Sequence, residues 1–108
     1  MRIYNERILS AVSLGADATS AVADMDHMGM ASIHAIWTGT PTGTLSVQVS
    51  VNGVDWVAPP TALSVAIAGA AGQVVWTMPD LTWKAIRVIY VRTSGTGTVN
   101  AWVNAKGF

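Results

Sequence analysis

Asp24, Asp26 and His27 fall within four positions and form the densest group of side chains able to hold a metal or move a proton. Calcium takes roughly six to eight oxygen ligands from an ordered loop, and the Asp-x-Asp-x-Asp-Gly spacing with its closing Glu is not present. The trio reads as a solvated loop ahead of a strand. His34 lies inside an alternating segment, where a half-buried, hydrogen-bonded or interfacial imidazole is expected, and neither histidine sits in a nucleophile motif. Ser and Thr are frequent, but they follow strand and turn positions that β propensity already explains. The Gly/Thr-rich turns lack the lysine of a phosphate loop and lie between strands rather than before a helix. With no cysteine in the chain, thiolate catalysis, disulfides and Cys-ligated zinc are excluded. The expectation is a protein without metal, cofactor or catalytic step, with a hydrolytic enzyme built on Asp24, Asp26 and His27 as the remaining alternative.

What remains is contact chemistry. Five tryptophans are many for 108 residues. Trp37 and Trp76 lie in apolar runs and are expected in the core, where their area helps a small domain without staples. Trp102 alternates with Asn100 and Asn104 on one strand face, so a flat aromatic flanked by amides is presented to solvent, to a partner protein or to a sugar ring. In Asn52-Gly53-Val54-Asp55-Trp56, the Asn-Gly pair reverses the chain, Asp55 is placed to accept loop N–H groups and Trp56 to fold back over the core. Arg87 shares a strand face with Ile89 and Val91, so both faces of that strand are partly apolar: either it is covered on both sides or one side meets another subunit.

These residues need strands to hold them. Leu45, Val47, Val49 and Val51 alternate with Ser46, Gln48, Ser50 and Asn52, the period-two signature of a strand with one wet face. Val99, Ala101 and Val103 repeat it. Further strands are expected within Asn5–Leu14, Ser32–Thr38, Ala62–Ala68, Gln73–Met78 and Ala85–Arg92, separated by Gly39–Gly43, Asn52-Gly53, Gly69–Gly72 and Ser94–Gly97. Pro59, Pro60 and Pro79 mark breaks. Val12–Met30 is the one stretch with helical spacing, interrupted enough that a single short turn is expected. Ile36–Leu45 lies over Tyr90–Val99 at a spacing of 54 residues, each unit reading strand, Gly/Thr turn, strand. The fold expected is all-β, an antiparallel β-sandwich or jelly roll with a two-hairpin pseudo-repeat. Residues 15–108 form the sandwich, and residues 1–14 form either its first strand or an assembly arm whose Ile3, Tyr4, Ile8 and Leu9 dock on a neighbour.

Charge narrows the partners. Six basic and six acidic residues give a formal charge of zero, 11% of the chain is charged and 51% is hydrophobic. This removes the electrostatic footprint of a nucleic-acid binder and weakens repulsion between copies, so a homo-oligomer is expected. No run is apolar enough for a membrane-spanning helix, and Met1–Leu14 lacks the apolar stretch and cleavage site of a secretory signal.

The stretch from Thr42 to Trp56 resembles the strand–loop motif of small phage β-sandwich proteins, Ile86–Val99 resembles their second block, and Lys106-Gly107 their ending. The resemblance implies a virion structural protein that decorates or cements a capsid, or a head-fibre component. It would contact the major capsid protein or another virion protein at the capsid surface, after synthesis in the host cytoplasm. The same blocks resemble discoidin-like carbohydrate-binding modules, which would imply a glycan partner. From that pattern the chain departs at Asn52, in the two residues between Gly53 and Trp56, and at Lys84–Arg87, which lacks the Tyr.

Overall fold

The computed structural model describes residues 3–25, 28–59, 62–79 and 83–107. Among the described residues, nine strands form two antiparallel sheets: β1 (Ile3–Ser13), β2 (Ala18–Thr19), β3 (Ala23–Asp24), β4 (Met28–Gly39), β5 (Thr42–Ser50), β6 (Ser64–Ala68), β7 (Gly72–Met78), β8 (Ala85–Ser94) and β9 (Gly97–Gly107). The first sheet has the order β1-β9-β4-β7. The second has β2-β8-β5-β6, with β3 also paired to β8. Nested antiparallel pairs, β1 with β9, β2 and β3 with β8, β4 with β7 and β5 with β6, are those of one long ribbon rolled into two layers. The sandwich is therefore a jelly roll.

Alternation decides which side chains meet between the layers. Leu45, Val47 and Val49 of β5 and Ile86, Val88 and Tyr90 of β8 face Ile33, Ala35 and Trp37 of β4 and Val99, Ala101 and Val103 of β9, all buried. Trp37 and Trp76 are both in this core, and the indole N–H of Trp37 donates to the Ala70 carbonyl at 3.0 Å.

Two expectations change, and one pairing bears on the alternatives left open for residues 1–14. The 54-residue pseudo-repeat does not consist of two hairpins. β4 and β5 lie in different sheets, as do β8 and β9, and the two units pair with each other, β4 along β9 and β5 along β8. Their Gly/Thr turns carry the chain from one layer to the other and pack side by side, with Thr40 N–H donating to the Thr96 carbonyl at 2.9 Å. Gly95 has φ of 77°, and a Cβ there would stand 2.0 Å from the Thr40 oxygen, which is why glycine recurs at this crossing. The short helical turn expected in Val12–Met30 is absent among the described residues. That segment holds the two-residue strands β2 and β3, too short for period-two spacing to reveal. Finally, Ile3–Ser13 is paired along β9 within the same chain, with Ile8 and Leu9 in the core, Tyr4 half-buried and Ile3 exposed.

Candidate functional site

The outer face of the first sheet is where Trp102 projects. Strand register sets Arg7 of β1 and His34 of β4 on either side of it, with Val75 of β7 beyond His34. The Arg7 guanidinium lies 5.5 Å from the indole centre, and the His34 ring centroid is 6.1 Å away with the planes tilted by 39°. His34 is held by a hydrogen bond of 2.8 Å between its Nε2 and Gln73 Oε1. Asn100 and Asn104 share this face but not a role. Asn100 Oδ1 accepts from the Ala11 backbone N–H at 2.7 Å and from Arg7 Nη2, clamping the β1 bulge where Ala11 takes φ of 49°. Asn104 is exposed and borders a shallow groove of about 250 Å³ with Met30, Ser32, Thr77, Pro79 and Lys106. Among the described residues, the side chains of Asn104, Ser32, Thr77 and Lys106 make no hydrogen bond, so the groove offers polar groups, with Trp102 two residues along β9 from Asn104. Sequence reasoning found Trp102, Asn100 and Asn104 from one strand's alternation. It missed Arg7, His34 and Gln73 as their neighbours because these come from strands far apart in the chain.

The second outer face joins Trp56 to Arg87. The guanidinium stacks 4.3 Å from the indole centre, and its Nε and Nη2 both donate to Gln48 Oε1, at 2.9 and 2.7 Å. Trp56 therefore lies half-buried on the outside of the sheet over Arg87, not folded over the core. Stacking satisfies a cation that would otherwise expose an apolar ring and a polar head separately. Arg87 and Ile89 are half-buried and Val91 is exposed, so this face of β8 is covered only in part.

The third surface is the end of the sandwich to which β5 descends. Residues 51–57 form a closed loop: Val49 and Val57 exchange backbone hydrogen bonds of 2.8 and 3.0 Å. Asn52 Oδ1 accepts from the N–H groups of Val54 and Asp55, both at 2.8 Å, and its Nδ2 donates to Asp55 Oδ2 at 2.9 Å. Asn52, not Asp55, takes up the loop N–H groups, and Ser50 Oγ accepts from Gly53. This braced loop presents Val51, Val54 and Val57 with exposures of 76%, 77% and 63%. Because β4 and β5 are joined by a tight turn at the opposite end, the start of β4 lies at this same end. Exposed Met30 and Ile3, both opposite Lys106, lie toward this end on the first sheet, the layer opposite the one that carries the valine loop.

Of the acidic trio, Asp24 is exposed on β3, while Asp26 and His27 lie outside the described residues. Among the described residues, no three metal-ligating side chains converge, and no helix is long and apolar enough to cross a membrane.

No protein-family model and no curated protein matches the sequence. Solved structures do share the fold. The SPBc2 prophage-derived protein YomS superposes with a TM-score of 0.63 at 9% identity, over 96% of both chains. The PBSX exported protein XepA gives 0.67 at 18% identity, over 97% of this chain but 37% of its own, so this chain matches about a third of that protein. A structure described as CBM4 gives 0.50 at 14% identity, over 82% of this chain and 61% of its own. At these identities the likeness is one of fold.

Proposed function

We propose that this chain is a non-enzymatic structural protein of a phage particle, decorating or cementing the capsid through contacts with neighbouring virion subunits. The observation that carries this reading is the apolar loop at one end of the sandwich. Exposed large hydrophobics scattered singly need no explanation, but Val51, Val54 and Val57 lie together on one loop whose backbone is braced in advance. A preformed apolar loop docks without the entropic cost of ordering it, and symmetry multiplies modest contacts over a shell. Two of the proteins that share the fold are prophage-derived or PBSX-encoded, which supports the phage setting.

The test is to add purified protein to empty particles of the phage that encodes it and measure co-sedimentation. Wild type is expected to bind, and the triple variant V51K/V54K/V57K to lose binding with an unchanged melting temperature. Absence of the protein from particles, together with no affinity for empty capsids, overturns the reading.

A second reading, favoured by the groove near Trp102, is binding of a host-surface saccharide. The groove lined by Asn104, Ser32 and Thr77 offers hydrogen-bond partners for ring hydroxyls, and Trp102, two residues from Asn104 on the same face of β9, offers an aromatic ring near its end. Titration with host surface polysaccharides should then quench tryptophan fluorescence in wild type and not in Trp102→Ala. An unchanged signal across a broad panel removes it.

A further inference from the structure

From Trp56 to Pro79 the chain holds no Asp, Glu, Lys or Arg. This uncharged segment supplies both β6 and β7, which end the two sheets on the same lateral side of the sandwich, joined by the short turn after Gly69. The opposite side is built differently. There β1 carries Glu6 and Arg7 and two register shifts, with Ala11 at φ of 49°, while β2 and β3 are two residues each. Charges, bulges and very short strands are the devices that stop a sheet edge from recruiting another strand. β7 has none of them: seven residues, uncharged, without proline, and in unbroken register with β4 from Ala31↔Met78 to Trp37↔Gly72.

We propose that β7 is a self-association edge, pairing antiparallel with β7 of a second copy about a two-fold axis at Val75. The alternation and length of the strand fix the register of such a pair. Gln73, Val75 and Thr77 point outward and are exposed, while Trp76 is buried and Val74 half-buried. Outward residues must oppose outward residues, or the pleat places a polar face on the core. Of the registers that satisfy this, only the one centred on Val75 pairs all seven residues. It sets Gln73 of one copy opposite Thr77 of the other, Val75 opposite Val75, and Val74 opposite Trp76. No charge faces another, Val75 loses its 60% exposure, and the two four-stranded sheets become one of eight. A net charge of zero leaves no long-range repulsion to oppose the encounter. This pairing is independent of the virion reading, since it uses a different surface from the valine loop.

The chain has no cysteine, so a single introduced one is unambiguous. Directly opposed residues of an antiparallel pair have Cα atoms about 4.5–5.5 Å apart, within the roughly 4.4–6.8 Å span of a disulfide. Val75→Cys is expected to oxidise to a linked dimer much faster than Val91→Cys, an exposed position on the other sheet. In sedimentation velocity, wild type is expected as a dimer. Val75→Lys sets like charges against each other on the axis and shifts the dimer–monomer midpoint to higher concentration by about tenfold or more, whereas Val91→Lys does not. Near-ultraviolet circular dichroism checks that both lysine variants are folded. A strictly monomeric wild type, equal cross-linking at positions 75 and 91, or a Val75→Lys dimer as tight as wild type would each overturn the proposal. V51K/V54K/V57K should still dimerise, which separates this edge from the capsid contact.

Discussion

Asn52 illustrates how a residue singled out for contact chemistry is accounted for by the loop itself. Its side chain accepts from two backbone N–H groups and donates to Asp55, so its hydrogen-bonding capacity is largely used inside residues 52–55. Asn52→Ala should destabilise the fold by about 1–2 kcal/mol in urea unfolding, because the loop N–H groups lose their acceptor. Tyr90 is the opposite case. Its ring is buried in the core and its hydroxyl has no hydrogen-bond partner among the described residues. Burial raises its pKa above the ordinary tyrosine value, against an opposing pull from Arg92. The unfolded chain therefore releases this proton first as pH rises. The stability linked to it is complete below about pH 10 and is lost as pH climbs through the folded-state value. Tyr90→Phe should be neutral or stabilising by up to about 1–2 kcal/mol at pH 7, since it removes an unsatisfied buried group, and should flatten this alkaline decline in thermal melts between pH 9 and about 11.

At the scale of elements, β1 is a core component that also happens to be an edge. Ile8 and Leu9 are buried, and Asn100 of β9 secures the bulge that bends the strand around them. Removing residues 1–13 strips two large side chains from the core and uncovers β9. Circular dichroism of that truncated chain should show an unfolded or aggregated protein rather than a folded one with weaker assembly, so arm deletion cannot serve as a test of docking. Leu/Ile→Ala changes alone cost about 2–5 kcal/mol each, comparable to a small domain's whole stability. The two sheet-crossing turns make a related point: the recurrence of glycine and threonine at a spacing of 54 residues reflects close backbone approach between turns, not two copies of a hairpin.

For the whole molecule, sparse balanced charge and apolar contact surfaces make one expectation specific. The proposed associations through the valine loop and through β7 should change by less than about twofold when sodium chloride is raised from low to physiological levels, as followed by sedimentation. An electrostatically driven contact would weaken over that range. The same balance distinguishes the two readings of function, since a saccharide groove would saturate with soluble ligand, whereas a cementing contact would appear only with assembled subunits.

Period-two alternation, β-rich composition and turn signals were together enough to determine the fold class, seven of the strands, the burial of Trp37 and Trp76 in their apolar runs, and the outward placement of Trp102 with Asn100 and Asn104, because a strand's pleat sorts its own neighbours. Only the tertiary structure decided what those side chains meet. Arg7 reaches Trp102 through the β1–β9 register, Arg87 reaches Trp56 through a loop that folds outward, and the crossing turns assign each strand to its layer. Pairing between strands is a property of the closed sheets, set by the packing of both layers at once. No local pattern encodes which distant segment becomes a strand's neighbour, and so the contact surfaces emerge only when the roll is complete.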